Sequence, residues 1–252
     1  MVSILEYAEV EHARVEGWMG ASALGLTTML SAHQVERGVK GAVGEIGVHH
    51  GKYFIGLALM RQPTEYAVAI DLFEDQHLNI DWSGRGDREI FSGHLERLGL
   101  VGEDVVLHKA NSLDLTAESL LQLSGHQKYR LFSIDGGHYA SIVLSDLALV
   151  ESVLDRFGIA ILDDFYNADW PGVNEGLFKY LPQGQLRALA YGDNKLFLCR
   201  DEVHEQLLAW MRDTVVPASS YAKLVELDSV PCYHLHAPTV AQASAGLMAK
   251  LG

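Results

Sequence analysis

The stretch Ala42-Val43-Gly44-Glu45-Ile46-Gly47-Val48-His49-His50-Gly51-Lys52-Tyr53-Phe54 decides the fold. Its first half is a short apolar run carrying one acid, Glu45; glycines follow at 47 and 51, and a helix-like segment over 52–61 begins at once. Strand, glycine turn, helix is the unit that brings backbone N–H groups and a helix N-terminus up to a ligand. The next strand, 66–71, ends in Asp71, at the roughly twenty-residue interval where such units place a ribose-binding acid. The G-x-G-x-x-G spacing of dinucleotide sites is missing: counted from Gly47, His49 stands where the second glycine belongs, and counted from Gly44, Ile46 does. An NAD-dependent oxidoreductase is therefore the alternative reading, and these residues weaken it.

Outward from this unit the chain alternates between the two kinds of element. Short apolar runs at 105–108, 129–134 and 159–162 read as strands; 90–98, 118–123, 141–156 and 173–180 read as helices, the third with a clear 3.6-residue apolar face. The runs 186–190 and 196–199, joined by Tyr191-Gly-Asp-Asn-Lys195, read as a β-hairpin. Residues 204–214 form a further helix, and 217–252 give no clear sheet signal. The polar segment from Leu72 to Asp87 is too long for a plain connection in a compact domain, and is expected near the ligand. Upstream, residues 2–40 carry apolar positions at helical spacing. They read as a helix packed on the sheet; a cap on the cofactor side or a homo-oligomer contact is the alternative. The expected class is α/β, with a helical cap at 1–40, one domain at 41–202 and an extension at 203–252.

Three carboxylates fall at the ends of two of these strands: Asp135 after the fourth, Asp163 and Asp164 after the fifth. In an open α/β sheet ligands bind at the carboxyl ends of the strands, near the point where strand order reverses. The fourth strand should neighbour the first, and the fifth the fourth, so these acids should meet beside the glycine turn. Like-charge repulsion makes such a cluster unfavourable, and a hard divalent cation relieves it. A metal with open positions can chelate adjacent hydroxyls and lower the pKa of one of them. His138, three residues after Asp135, is placed to take that proton.

Together, Glu45-x-Gly47-x-x-x-Gly51, Asp71, Asp135-Gly-Gly-His138 and Asp163-Asp164 resemble class I S-adenosylmethionine-dependent methyltransferases, and more narrowly the Mg²⁺-dependent O-methyltransferases of sugars and natural products. Catechol-type relatives share the acid positions but have Lys where this chain has His138 and Asn where it has Asp164. The match covers roughly residues 40–200, and the His49-His50 pair inside the turn is a departure. The resemblance implies a doubly wound, mostly parallel, seven-stranded Rossmann-like sheet with a C-terminal antiparallel hairpin. It implies S-adenosylmethionine held by Glu45, Gly47, Gly51 and Asp71, with Ser112 bordering the adenine. It further implies Mg²⁺ or another hard divalent cation on Asp135, Asp163 and Asp164, and Asp135 and His138 as the catalytic residues. The acceptor would be a small polyol, sugar or phenol. A binding protein that kept the cofactor pocket but lost turnover is a further alternative, against which the intact acid triad speaks.

Composition narrows the partners. The 252 residues carry 19 Lys and Arg against 33 Asp and Glu, a net charge of −14, with no dense basic cluster. Sequence-independent nucleic-acid binding and attachment to an anionic membrane both need such clusters. Two cysteines do not make a disulfide framework, and no signal peptide or apolar run of ~20 residues is visible. A cytoplasmic location is the expectation.

Overall fold

The computed structural model describes residues 2–251, with side chains described through residue 245. Helices α1 (Ile4–Glu9) and α2 (Ala21–Glu36) precede the sheet. They are separated by a short turn and an extended stretch in which Gly17 has φ +131° and Gly20 caps α2, so residues 2–40 are not one continuous helix. Then follow β1 (Ala42–Ile46), α3 (Lys52–Leu59), β2 (Ala67–Asp71), α4 (Arg88–Leu98), β3 (Val105–Lys109), α5 (Ala117–Leu123), β4 (Tyr129–Ile134) and α6 (Ala140–Val153). The chain continues through β5 (Leu154–Leu162), α7 (Pro171–Tyr180), β6 (Leu186–Gly192), β7 (Lys195–Arg200), α8 (Asp201–Trp210), β8 (Tyr221–Leu227), β9 (Val230–His236) and α9 (Val240–Leu251).

All nine described strands join one sheet in the order β3-β2-β1-β4-β5-β7-β6-β9-β8. The first five of that order run parallel. The β6–β7 hairpin enters antiparallel beside β5, as its turn-forming link predicts. The expected count of seven strands is corrected to nine, because residues 217–252 supply a second hairpin. Its outer strand β8 is an edge strand bearing Lys223 and Glu226 and is mostly exposed, so it reads as polar chain rather than core strand. Strand β9 joins the rest through only two positions, Ala190 opposite Tyr233 and Tyr191 opposite His234.

Helices cover both faces. Leu24, Phe54, Leu207 and Val240 pack on Val43, Leu131 and Ile161 on one side; Leu147, Val150 and Leu177 pack on Ile46, Phe132 and Leu162 on the other. Burial on both faces is why these strands read as continuous apolar runs. From β1 the chain winds outward to β2 and β3, then returns to place β4 on the other side of β1. The order therefore reverses beside β1, and the carboxyl ends of β1, β4 and β5 open onto one crevice. Among the described residues no helix is long and apolar enough to cross a membrane.

Candidate active site

Gly47, one residue past β1, has φ +81°, a region that glycine enters without steric cost. A Cβ there would lie 1.7 Å from the Asp135 carbonyl oxygen, so the ends of β1 and β4 touch only because this side chain is absent. Gly51, at φ +87°, caps α3, and a Cβ on it would fall 2.2 Å from the Phe91 ring. Between them the His49 N–H donates to Asp71 Oδ2 at 2.9 Å, while the Phe73 N–H donates to Asp71 Oδ1 at 2.7 Å. Asp71 thus ties the glycine turn to the segment after β2, and burial raises its pKa.

A cavity of about 580 Å³ opens at these strand ends. Gly47, Asp71 and Ser112 line it, as do Asp135, His138, Asp163 and Asp164. Glu45 and Gly51 do not line it. Glu45 is 1% exposed, neither of its carboxylate oxygens has a hydrogen-bond partner, and burial pushes its pKa up to about 8 against the pull of Lys195. The segment from Leu72 to Asp87 forms one wall, in agreement with the expectation for a loop of that length.

The acids do converge, in an arrangement that strand ends alone did not specify. Asp135, His138 and Asp164 each offer one ligand atom within 4.8 Å of the others, a spacing that fits a single cation. Asp163 is placed outside that trio: its Oδ2 accepts from Lys195 Nζ at 2.5 Å, and its Oδ1 accepts from the Asp164 N–H at 2.9 Å. Burial, and then the charge of Asp163, hold the Asp135 carboxyl well above its ordinary pKa, with Lys195 opposing. A carboxyl this reluctant to ionise lacks a positive partner of its own, and a bound cation would supply one.

His138 is gripped from both sides. Asp81 Oδ2 accepts from the His138 backbone N–H at 2.7 Å and faces Nδ1 at 2.9 Å; Nε2 lies 2.9 Å from Asp164 Oδ2. Trp170 stacks on the imidazole, centroids 4.3 Å apart and planes within 16°. Burial pulls the His138 pKa down, but the bonds to Asp164 and Asp81 outweigh it and hold it above the usual histidine value.

Two of these partners escape sequence reasoning. Asp81 sits in an irregular segment with no periodicity to orient it. Lys195 reads as the last residue of a turn, yet it is 2% exposed, the first residue of β7, and lies 4.1 Å from the Tyr53 ring centroid. One signal was available: a lysine heading the apolar run 196–199 needs a buried counter-charge.

Beneath the loop 135–137 lies Asp146 on α6, 1% exposed, with no hydrogen-bond partner on either oxygen. Burial raises its pKa to about 7. An acid whose folded pKa exceeds its unfolded value of about 3.9 contributes full stability only below the lower value, and loses it as pH rises to the higher one. Asp146→Asn is therefore expected to raise the melting temperature more at pH 8 than at pH 5. Equal shifts at the two pH values would contradict this.

Residues 45–165 match the family described as a methyltransferase domain. No curated protein sequence matches the chain. Among solved structures the chain is similar to the O-methyltransferase NovP, with a TM-score of 0.58 and 13% identity, over 72% of this chain and 80% of that one. It is also similar to the Bacillus cereus O-methyltransferase in complex with SAH, with a TM-score of 0.53 and 14% identity, over 77% and 88% of the two chains. A third similar structure is CalS11, a TDP-rhamnose 3'-O-methyltransferase of calicheamicin biosynthesis, with a TM-score of 0.50 and 21% identity, over 69% and 77%. At these identities the likeness extends to the fold.

Proposed function

We propose that this chain is an S-adenosylmethionine-dependent methyltransferase that methylates a hydroxyl of a small sugar, polyol or phenol with the help of a divalent cation. The observation that carries the proposal is the convergence of Asp135, His138 and Asp164 in the cavity that begins at Gly47.

The residues fit both groups. For the cofactor, Gly47 leaves room where a Cβ would fill the turn, and Asp71 at the end of β2 and Ser112 both line the cavity, where they would meet the ribose and the adenine. For Mg²⁺, Asp135 and Asp164 offer hard oxygens, while Asp163, neutralised by Lys195, steadies Asp164 through the Asp164 N–H. When bound, the cation lowers the pKa of a chelated hydroxyl and the sulfonium supplies the methyl group.

The chain's own residues orient and deprotonate the acceptor. In the tautomer that carries its proton on Nδ1, His138 donates to Asp81 and Nε2 is the nitrogen able to receive the hydroxyl proton. Asp164 faces Nε2 and stabilises the imidazolium once it forms. Trp170 fixes the ring plane, and the segment containing Asp81 covers one side of the cavity.

Calorimetry tests this in two steps. S-adenosylhomocysteine is expected to bind the protein, and Mg²⁺ is then expected to bind the loaded protein. Failure of the first titration removes the methyltransferase reading; failure of the second alone removes the metal.

A further inference from the structure

We propose that Asn194 is a positioning residue for the metal site: from the tip of the β6–β7 hairpin it aims the Asp164 carboxylate at Asp135 and His138. This rests on the metal-assisted reading of the cavity and deepens it, by naming what holds the one acid of the trio that lies on a strained turn.

Strand geometry alone does not hold Asp164. It lies just past β5 at φ +58°, a region that a non-glycine residue keeps only where its surroundings impose it. Across from it, Asp193 and Asn194 form the two-residue turn between β6 and β7, with φ +47° and +65°, as a type I′ hairpin requires. The β5–β7 pairing sets Leu162 opposite Leu196. Continued by two residues, that register brings Asp163 opposite Lys195 and Asp164 opposite Asn194. Two neighbouring residues of the hairpin therefore hold two neighbouring acids, Lys195 by charge and Asn194 by hydrogen bonds.

Asn194 grips the turn at three points. Its backbone carbonyl accepts from the Phe165 N–H at 3.0 Å, its Oδ1 accepts from the Tyr166 N–H at 3.0 Å, and its Nδ2 donates to Asp164 Oδ1 at 2.7 Å. Asn167 Nδ2 donates to the same carboxylate oxygen at 2.8 Å. Two donors on Oδ1 fix the rotation of the carboxylate, and Oδ2 is left facing His138 Nε2. Hydrogen bonds of this kind orient ligating carboxylates, and losing them typically costs about 10–100-fold in metal affinity. The turn is fastened from behind as well: Asp193 Oδ2 accepts from the Ser22 N–H at 2.8 Å and the Ala23 N–H at 3.1 Å, which ties the clamp to the start of α2.

The hairpin itself has no need of asparagine at this position. A type I′ turn favours glycine second, so Asp-Gly would serve the backbone better than Asp-Asn. What glycine lacks is the side-chain amide, and both ends of that amide are bonded to the turn that carries Asp164.

Asn194→Gly tests this, because it keeps the turn and deletes the amide. Parent and variant are each saturated with S-adenosylhomocysteine and titrated with Mg²⁺ by calorimetry, and their melting temperatures are compared without metal. The variant is expected to bind Mg²⁺ at least about tenfold more weakly than the parent. Its affinity for S-adenosylhomocysteine should stay within about twofold, and its melting temperature within about 4 °C, since the glycine turn offsets the lost hydrogen bonds. A purely structural asparagine would instead lower the melting temperature and weaken both ligands together. Mg²⁺ affinity within about threefold of the parent, or a loss of S-adenosylhomocysteine affinity as large as the loss for Mg²⁺, would overturn the inference. A parent that takes S-adenosylhomocysteine but no Mg²⁺ would remove the metal reading and this inference with it; a parent that takes both, with a variant that matches it, would remove this inference alone.

Discussion

Asp135→Asn is expected to lower kcat/KM for methyl transfer at least about a hundredfold. The same change should leave S-adenosylhomocysteine affinity within about threefold, because it removes a charge without altering the backbone that packs on Gly47. The reasoning is electrostatic. Asp163 has Lys195 and Asp164 has His138, whereas Asp135 is left with a carboxyl that burial and Asp163 make hard to ionise. A side chain in that position is stabilised as an anion chiefly by an added cation. Asparagine keeps the shape, loses the anionic ligand and should abolish Mg²⁺ binding in the loaded protein. Turnover within tenfold of the parent, measured as label passing from S-adenosylmethionine to a diol acceptor, would remove the metal from the mechanism.

The largest stability effect is expected far from the chemistry, at Arg130 in β4. It is fully buried, and each nitrogen of its guanidinium has a partner. Nε donates to both oxygens of Glu65 at 3.1 and 3.0 Å, Nη1 to Ser31 Oγ at 2.8 Å and Gln34 Oε1 at 3.1 Å, and Nη2 to the Met60 carbonyl at 2.7 Å. Glu65, 3% exposed, also accepts from the Gly41 N–H, so the network fastens the entry to β1 as well as α2 and the end of α3. Arg130→Met leaves that carboxylate buried without its counter-charge, which typically costs about 3–5 kcal/mol. For a chain of this size the melting temperature should fall by roughly 10 °C. A loss under about 1 kcal/mol in denaturant titration would show that Glu65 is neutralised in some other way.

The sequence by itself determined the frame. The glycine turn at 47–51 fixes a βα unit, because backbone conformation at Gly47 and Gly51 is a local property. Periodicity places the parallel strands and most helices to within a few residues. The rule that ligands gather at strand ends brings Asp71, Asp135 and the Asp163-Asp164 pair to one crevice. Each of these follows from residues close together in the chain, or from a regularity of all such sheets.

Tertiary structure decided how the charges are shared. Lys195 reaches Asp163 because the β6–β7 hairpin packs antiparallel on β5, placing Leu196 opposite Leu162, one residue before that acid. Asp81 reaches His138 because an aperiodic segment folds back over β4. The second hairpin, β8 and β9, is held to the sheet through β6 and has too polar an edge to announce itself as a strand. Side-chain pairing across 32 or 57 residues depends on register and packing, which no local pattern encodes. That is why the acids could be located from the sequence, while the partner of each one could not.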